Sequence, residues 1–212
     1  MKKILLLLIL ALAIAAFVSA QTATVTGVSG KVEYRLGSGS WRAATEGLEI
    51  PLNATISTGF GASATLDIAG SAVQVSQLTR LTVEELADDG STVSTGVFVP
   101  VGKVRATVTE PANRSTDFRL RTAQSTAAVR GTEFETNGWQ LSVSEGIVEF
   151  ANLAGQSRTV GATQISVVTD GAPTDPLDEL NGRANVGDDG GPGEFTGGPA
   201  DSGYITVRWQ VQ

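Results

Sequence analysis

Between residues 23 and 169, apolar and polar side chains alternate in short runs punctuated by glycine, and that regularity fixes the fold class. A period of two puts successive side chains on opposite faces of an extended chain, which is the pattern of a half-buried β-strand. Helical periodicity is nearly absent. In residues 62–68, Ala62, Ala64, Leu66 and Ile68 share a prospective core face, while Ser63, Thr65 and Asp67 face solvent. The next two runs, 72–75 and 81–84, place Val73, Val75, Leu81 and Val83 inward, with Gln77 and Thr79 in a turn between them. Further strands are expected at 93–101, 103–109, 116–122, 127–136, 139–144, 147–153 and 164–168. So many short strands imply an all-β fold: a rolled or two-layer antiparallel β-sandwich, with a β-solenoid as the alternative.

An internal echo supports this reading. Gly30-Lys31-Val32, Gly102-Lys103-Val104 and Gly146-Ile147-Val148 each set a glycine just ahead of a strand whose valine is expected inside. A glycine there can take positive φ and reverse the chain before the strand begins. The glycines are 72 and 44 residues apart, too uneven for a regular solenoid repeat, so the echo reads as a recurring strand-opening device.

The two ends differ in kind from the middle. Residues 1–20 have the form of a secretory signal peptide: Lys2 and Lys3, an apolar run from Ile4 to Val18, then Ser19 and Ala20 before the expected cleavage. The run is shorter than the ~20 residues that usually span a bilayer, and Gln21, Thr22 and Thr24 follow it, so a retained anchor is the lesser reading. The expected organisation is a signal peptide over 1–20, one all-β domain over 21–170, a flexible Pro/Gly-rich linker over 171–203 and a terminal strand over 204–212. At most a turn or two of helix fits near Leu177 to Leu180. The closing octapeptide, from Tyr204 to Val211, alternates again, with Ile205, Val207, Trp209 and Val211 on one face, and is expected to dock as an added strand on this domain or a partner's sheet.

Composition excludes several chemistries. There is no Cys and no His, which removes disulfides, thiolate nucleophiles, Ser-His-acid units and the commonest transition-metal ligand. No cofactor is expected. Without Lys2 and Lys3, 13 of the 15 basic side chains remain against 22 acidic ones, so nucleic acid and anionic membrane surfaces are poor partners for the molecule as a whole, and no stable membrane insertion is expected after cleavage.

The segment Ala127-Ala128-Val129-Arg130-Gly131-Thr132-Glu133-Phe134 resembles the hallmark of the FecR domain family. The order around it agrees: Gly30 and Val32, Trp41 after a Gly-rich turn, Ile56-Ser57-Thr58-Gly59, Gly70-Ser71, Gly102-Lys103-Val104 and Val143-Ser144-Glu145-Gly146, together covering about residues 24–168. Leu48 and Ala69 stand where the family often has Asp. The resemblance implies a periplasmic module that, in the best-known members, is joined by a membrane helix to a cytoplasmic anti-sigma segment and relays the state of an outer-membrane receptor. Only Met1, Lys2 and Lys3 precede the apolar run, so the expectation here is the extracytoplasmic module alone. Such a protein would be an exported, periplasmic or extracellular, non-enzymatic binding or scaffolding module whose partner is an envelope protein or cell-wall component.

Arg130, Gly131 and Thr132 are the candidate site, with a structural role expected ahead of a binding one: Gly131 for its backbone angle, Arg130 paired to an acid, Thr132 and Phe134 continuing the strand. The alternative function, a carboxylate-dependent glycan hydrolase, would draw on Glu84, Glu85, Asp88 and Asp89. Alternation sets Glu84 and Glu85 on opposite faces, and Asp88-Asp89-Gly90 reads first as a hairpin turn. Asp188, Asp189, Glu194 and Asn185 offer oxygen donors without the spacing of an EF-hand, and a solvated linker is the plainer reading. Lys31 and Lys103 are the lysines left for a Ser-Lys nucleophile, and surface placement is expected for both. Asn53-Ala54-Thr55 and Asn113-Arg114-Ser115 match the glycosylation tripeptide and are given no role. Trp41, Trp139 and Trp209 could form a ligand platform, although Trp139 is expected in the core beside Leu141 and Val143.

Overall fold

The structure is a computed structural model that describes residues 23–111, 113–169 and 171–178. The expected signal peptide, the linker beyond residue 178 and the terminal strand from Tyr204 to Val211 lie outside the described residues. In chain order the strands are β1 (Ala23–Ser29), β2 (Val32–Leu36), β3 (Arg42–Ala43), β4 (Glu49–Ile50), β5 (Ala54–Thr58), β6 (Ser63–Ile68), β7 (Ser71–Val75), β8 (Arg80–Asp88) and β9 (Thr92–Val101). They continue as β10 (Val104–Thr107), β11 (Ser115–Thr122), β12 (Ser125–Val129), β13 (Glu133–Thr136), β14 (Gln140–Glu145), β15 (Ile147–Asn152), β16 (Ser157–Gly161), β17 (Gln164–Val167) and β18 (Leu177–Asp178). No helix occurs among the described residues.

The strands form two nine-stranded sheets, and neither closes on itself. The first runs β18-β17-β14-β13-β10-β7-β6-β1-β4 and the second β16-β15-β12-β11-β9-β8-β5-β2-β3. Each strand reverses the direction of the one before it while the chain steps between the sheets and advances along both. Strands of unlike parity therefore pair antiparallel. The one parallel pair, β9 with β11, joins two odd-numbered strands whose intervening β10 lies in the other sheet. A second consequence matters for function: the turns fall alternately on two opposite rims, an odd rim after odd-numbered strands and an even rim after even-numbered ones.

The inward residues of both sheets make one core. Leu66, Ile68, Val73, Val75 and Phe134 from the first sheet, and Ile56, Leu81, Phe118, Leu120 and Phe150 from the second, are fully buried within it. The expected core residues Ala62, Ala64, Leu66, Ile68, Val73, Val75, Leu81 and Val83 are all buried. All-β sandwich is the observed class, and the antiparallel expectation needs only the β9–β11 pair as an amendment.

Three local expectations change. The run 127–136 is two strands rather than one, because β12 ends at Val129 in the second sheet and β13 begins at Glu133 in the first. Glu84 and Glu85 are both exposed, because a β-bulge between Val83 and Glu85 breaks the alternation. Gly96 opposite makes room for it, since a Cβ there would lie 2.9 Å from Glu85 Cβ. Leu177–Asp178 is a strand paired with β17, and Pro173 ahead of it is buried, so the described fold extends past residue 170 into the segment expected as linker.

The echoed glycines find a common explanation in the turns they meet. Thr79 and Thr132 are buried, and each follows a residue at positive φ, Leu78 at 56° and Gly131 at 57°. Thr79 Oγ1 lies 3.2 Å from Gln77 O and 3.3 Å from Lys103 O, while Thr132 Oγ1 lies 3.1 Å from both Arg130 O and Ile147 O. In each case the second carbonyl belongs to the residue after an echoed glycine. Gly102 has φ 104° and Gly146 φ 84°, and a Cβ on them would come within 2.5 Å of Thr79 Cα and 2.7 Å of Thr132 Oγ1 respectively. Glycine therefore serves twice at these positions, for its backbone angle and for the close approach of a buried threonine turn. Gly30, the first of the echo, meets Ala62 in the corresponding place.

Candidate functional site

Arg130-Gly131-Thr132 forms the even-rim turn that carries the chain from β12 in one sheet to β13 in the other. Thr132 exchanges both backbone hydrogen bonds with Val108, N to O at 3.1 Å and O to N at 2.9 Å, which extends the β10–β13 ladder beyond its last strand pair. Its hydroxyl then ties the turn to Ile147. Gly131 is exposed, with Glu110 Cβ the nearest atom to a would-be Cβ at 3.6 Å, so its demand is on backbone angle and not on space. Arg130 is exposed and forms no ion pair among the described residues, unlike the pairing anticipated from sequence.

Beside Arg130 the outer face of the second sheet holds an open cleft of about 460 Å³, lined in part by Asp117, Arg119, Ala128, Ile147 and Glu149. Arg119 bonds Asp117 at 2.8 Å, and the exposed Ile147 stands at the margin. The small Ala128 between Arg119 and Glu149 in the cross-strand register leaves the depression. Such a surface can hold an extended peptide or a saccharide by polar contacts.

The acidic run is engaged structurally. Glu84 accepts two hydrogen bonds from Arg121, at 2.7 and 3.0 Å, and the Arg121 guanidinium lies 4.7 Å from the centre of the Phe98 ring. Asp88 pairs with Arg114 at 2.7 Å and accepts from Gly90 N. Asp89 accepts from the Ser91 hydroxyl and from the backbone N–H groups of Thr92 and Ser91, and these bonds hold its carboxyl below the ordinary value. A general acid on a glycan needs the opposite shift. Asp88-Asp89-Gly90 is the expected hairpin turn, between β8 and β9, with Gly90 at φ 87°.

Lys31 and Lys103 are exposed, Lys31 paired with Glu33 at 3.1 Å and Lys103 with Glu135 at 2.9 Å. Partial burial pushes the Glu135 carboxyl up, but hydrogen bonds and charge from Lys103 and Arg105 together bring it below its ordinary value. Stability from this pairing is therefore full above the unfolded carboxylate range and fades as pH falls through the depressed value. Glu135→Gln is expected to lower stability at neutral pH by less than about 1 kcal/mol, with the difference closing in acid. Urea unfolding of both proteins across the acid range measures it, and a difference that grows on acidification contradicts the assignment.

Trp139 is half exposed and not in the core as expected. Its parity matches that of Leu141 and Val143, but it sits in the turn ahead of β14, beyond the last core layer, and lines an odd-rim cleft with Leu153 and Gln124. Trp41 packs under the Arg35 guanidinium, 4.5 Å from the ring centre, in an even-rim turn at the other end of the sheet. The two therefore share no platform, and Trp209 lies outside the described residues. Asn53 and Asn113 occupy turns at φ 64° and 65°, a conformation asparagine tolerates well, which accounts for them without a glycan. Asp188, Asp189, Glu194 and Asn185 lie outside the described residues.

The Thr79 and Thr132 turns, on opposite rims, both lie within the stretch that sequence comparison matches. Residues 54–149 match the FecR protein family. The FecR match runs from the first residue of β5 into β15 and bears out the resemblance over that stretch, including Gly102, Arg130-Gly131-Thr132 and Gly146. Gly30 and Trp41, quoted for the same resemblance, lie ahead of it. No curated protein matches the chain. Two crystal structures of a "putative anti-sigma factor" from Parabacteroides distasonis ATCC 8503 are similar, each at 19% identity and a TM-score of 0.49, over 58% of this chain and 59% of theirs. The chain thus matches about three fifths of the length of those proteins.

Sequence reasoning missed two features. It did not see that Gln77-Leu78-Thr79 repeats the geometry of Arg130-Gly131-Thr132, for which a buried threonine after a turn was the available signal. It also passed over Phe60, set between Gly59 and Gly61 and left 85% exposed.

Proposed function

We propose that this protein is an exported, non-enzymatic binding or scaffolding module of the cell envelope that acts through contacts with an envelope protein or cell-wall component. The observation that carries the reading is the FecR match over residues 54–149, in a domain where, of the candidate catalytic carboxylates, Glu84 and Asp88 are paired with arginines and Asp89 with turn N–H groups. The leader over residues 1–20 supports export, and the mature chain then begins at Gln21. Intact mass of the protein recovered from envelope or medium tests this directly, and a species still carrying Met1 through Ala20 contradicts it.

Within the FecR signature, Gly131 and Thr132 act as structural residues while Arg130 is free to meet a partner. Gly131→Val is expected to destabilise the fold by about 1 to 3 kcal/mol, because a β-branched residue resists a φ of 57°. Arg130→Ala is expected to leave stability within about 0.5 kcal/mol. A stable Gly131→Val beside a partner-blind Arg130→Ala reverses the ranking.

The segment from Tyr204 to Val211 supplies an added strand. Supporting this is β16, a five-residue outer strand of the second sheet, whereas the other three outer strands have two residues each. Slow amide exchange across Ile205 to Val211 is the expected result, and protection lost on dilution assigns the pairing to a second chain.

Capture of an envelope component by the full mature chain tests the function. Release of reducing sugar from envelope glycans, abolished by Glu84→Gln, overturns it in favour of the hydrolase.

A further inference from the structure

The strict reversal of successive strands gathers nine turns on the odd rim, and the side chains there differ from those on the opposite rim. Val28, Phe60, Leu78, Val101, Trp139 and Leu153 lie on it, six of the nine large apolar side chains exposed among the described residues. Phe60 is 85% exposed, Leu153 70% and Leu78 58%. Each is carried singly, in a turn or at the strand end beside it. Their sequence neighbours are small or polar residues and one proline, and the Leu78 N–H donates to Gly59 O, so the Phe60 and Leu78 turns are bonded side by side.

Charge is sorted the same way. The seven inner turns of this rim, at residues 30–31, 59–62, 76–79, 102–103, 123–124, 137–139 and 153–156, contain no Asp or Glu. Among the described residues the two outermost carry Glu46 and Asp175, the latter bound to Arg158. Lys31, Arg80 and Lys103 stand at or just behind the inner turns. Arg80 has no ion pair among the described residues, whereas Lys31 and Lys103 each share a glutamate. Carboxylates gather at the opposite rim instead, among them Asp67, Asp88, Asp89, Glu110, Glu133 and Glu145. The net negative charge that disfavours an anionic surface for the whole molecule is thus held mostly away from this edge.

We propose that the odd rim docks onto the interface of a phospholipid bilayer, with the Phe60, Leu78, Trp139 and Leu153 side chains entering the headgroup boundary and Arg80, Lys31 and Lys103 facing the phosphates. Apolar tips in a row, backed by cations and with no carboxylate in the seven inner turns, suit a planar interface with no fixed shape. Phe, Trp and Leu are the residues that partition there. In the second sheet five strand spacings separate the Phe60 turn from the Leu153 turn, roughly 24 Å at the usual interval, so several tips engage one plane together. A folded protein partner would call for a continuous apolar face, and Gly and polar residues interrupt this one. Docking by tips is peripheral and leaves the sandwich outside the membrane.

The test is co-sedimentation of the full mature chain with vesicles of phosphatidylethanolamine and phosphatidylglycerol, and with vesicles of phosphatidylcholine alone. Partition into the mixed vesicles is expected, weaker on phosphatidylcholine. The double variant Phe60→Ser with Leu78→Ser is expected to reduce it on the order of tenfold, while Leu36→Ser with Leu52→Ser on the even rim leaves it unchanged. Circular dichroism confirms that each variant is folded. In a chain that also carries Trp41→Phe and Trp209→Phe, brominated lipid is expected to quench Trp139. Absence of wild-type partition, equal loss from both rims, or unquenched Trp139 overturns the proposal. So does capture of an envelope protein that Phe60→Ser with Leu78→Ser abolishes while vesicles are ignored, which gives the rim to a protein partner. Only that last outcome bears on capture through the Arg130 cleft, and the others leave it untouched, so the two readings fail separately.

Discussion

Gly102→Ala is expected to remove most of the stability of this domain. Two penalties fall on one methyl group. The φ of 104° lies outside even the left-handed well that an L-residue can occupy, and the new Cβ would stand 2.5 Å from Thr79 Cα. Neither side can yield easily. Thr79 is fully buried, its N–H bound to Thr58 Oγ1 at 3.0 Å, and its hydroxyl accepts from Lys103 N at 3.0 Å. Relief would break both bonds inside a closed core. A loss of about 4 kcal/mol or more is expected, against total stabilities of about 5 to 15 kcal/mol for domains generally. Gly70→Ala is the control, because its φ of 81° is also positive but no atom lies within 4 Å of the new Cβ. It should lose only about 1 to 2 kcal/mol. Equal urea midpoints for the two variants would show that the glycine–threonine contact contributes nothing beyond backbone angle.

The sandwich could be read from sequence because each strand is half buried, and half-buried strands write their burial into alternate letters. Leu66, Ile68, Val73 and Val75 are examples where parity alone gave the inward face. Parity failed where the chain leaves the sheet plane. Trp139 has core parity but overhangs the rim, and Glu85 is turned outward by a bulge that only its cross-strand neighbour Gly96 makes possible. The split of 127–136 into β12 and β13 was likewise hidden, since apolar alternation resumes in the opposite sheet after one turn. The candidate site was legible as a motif and not as a geometry. Arg130-Gly131-Thr132 is distinctive in sequence, yet its counterpart Gln77-Leu78-Thr79 shares only the threonine, with leucine in the positive-φ position that glycine fills in the other. The sorting of charge between rims depends on which turns fall together, which requires the full strand order.

Phe134→Ala is the second large effect expected, and it explains why the signature segment extends beyond its turn. Phe134 is fully buried in β13, with Ala106 of β10 opposite on one side and Val143 of β14 on the other. Small flanking residues leave the volume that the ring fills, so truncation opens a cavity that neighbours of that size cannot close. The expected loss is about 3 to 5 kcal/mol, with Phe134→Leu nearer 1 kcal/mol and the exposed Phe60→Ala within about 0.5 kcal/mol. Urea unfolding should show a lower midpoint with little change in slope. A loss below about 1 kcal/mol for Phe134→Ala would mean that the two sheets do not close over this ring. Thr132→Val adds a sharper test, because it removes the hydroxyl that links the turn to Ile147 but keeps the residue's shape. Thr132 and Phe134 are two residues apart on one ladder, so if the turn fixes the depth at which the ring enters the core, the double variant should lose less than the two single losses combined. Strict additivity would instead make the turn and the ring independent, and the signature would then be two adjoining requirements rather than one.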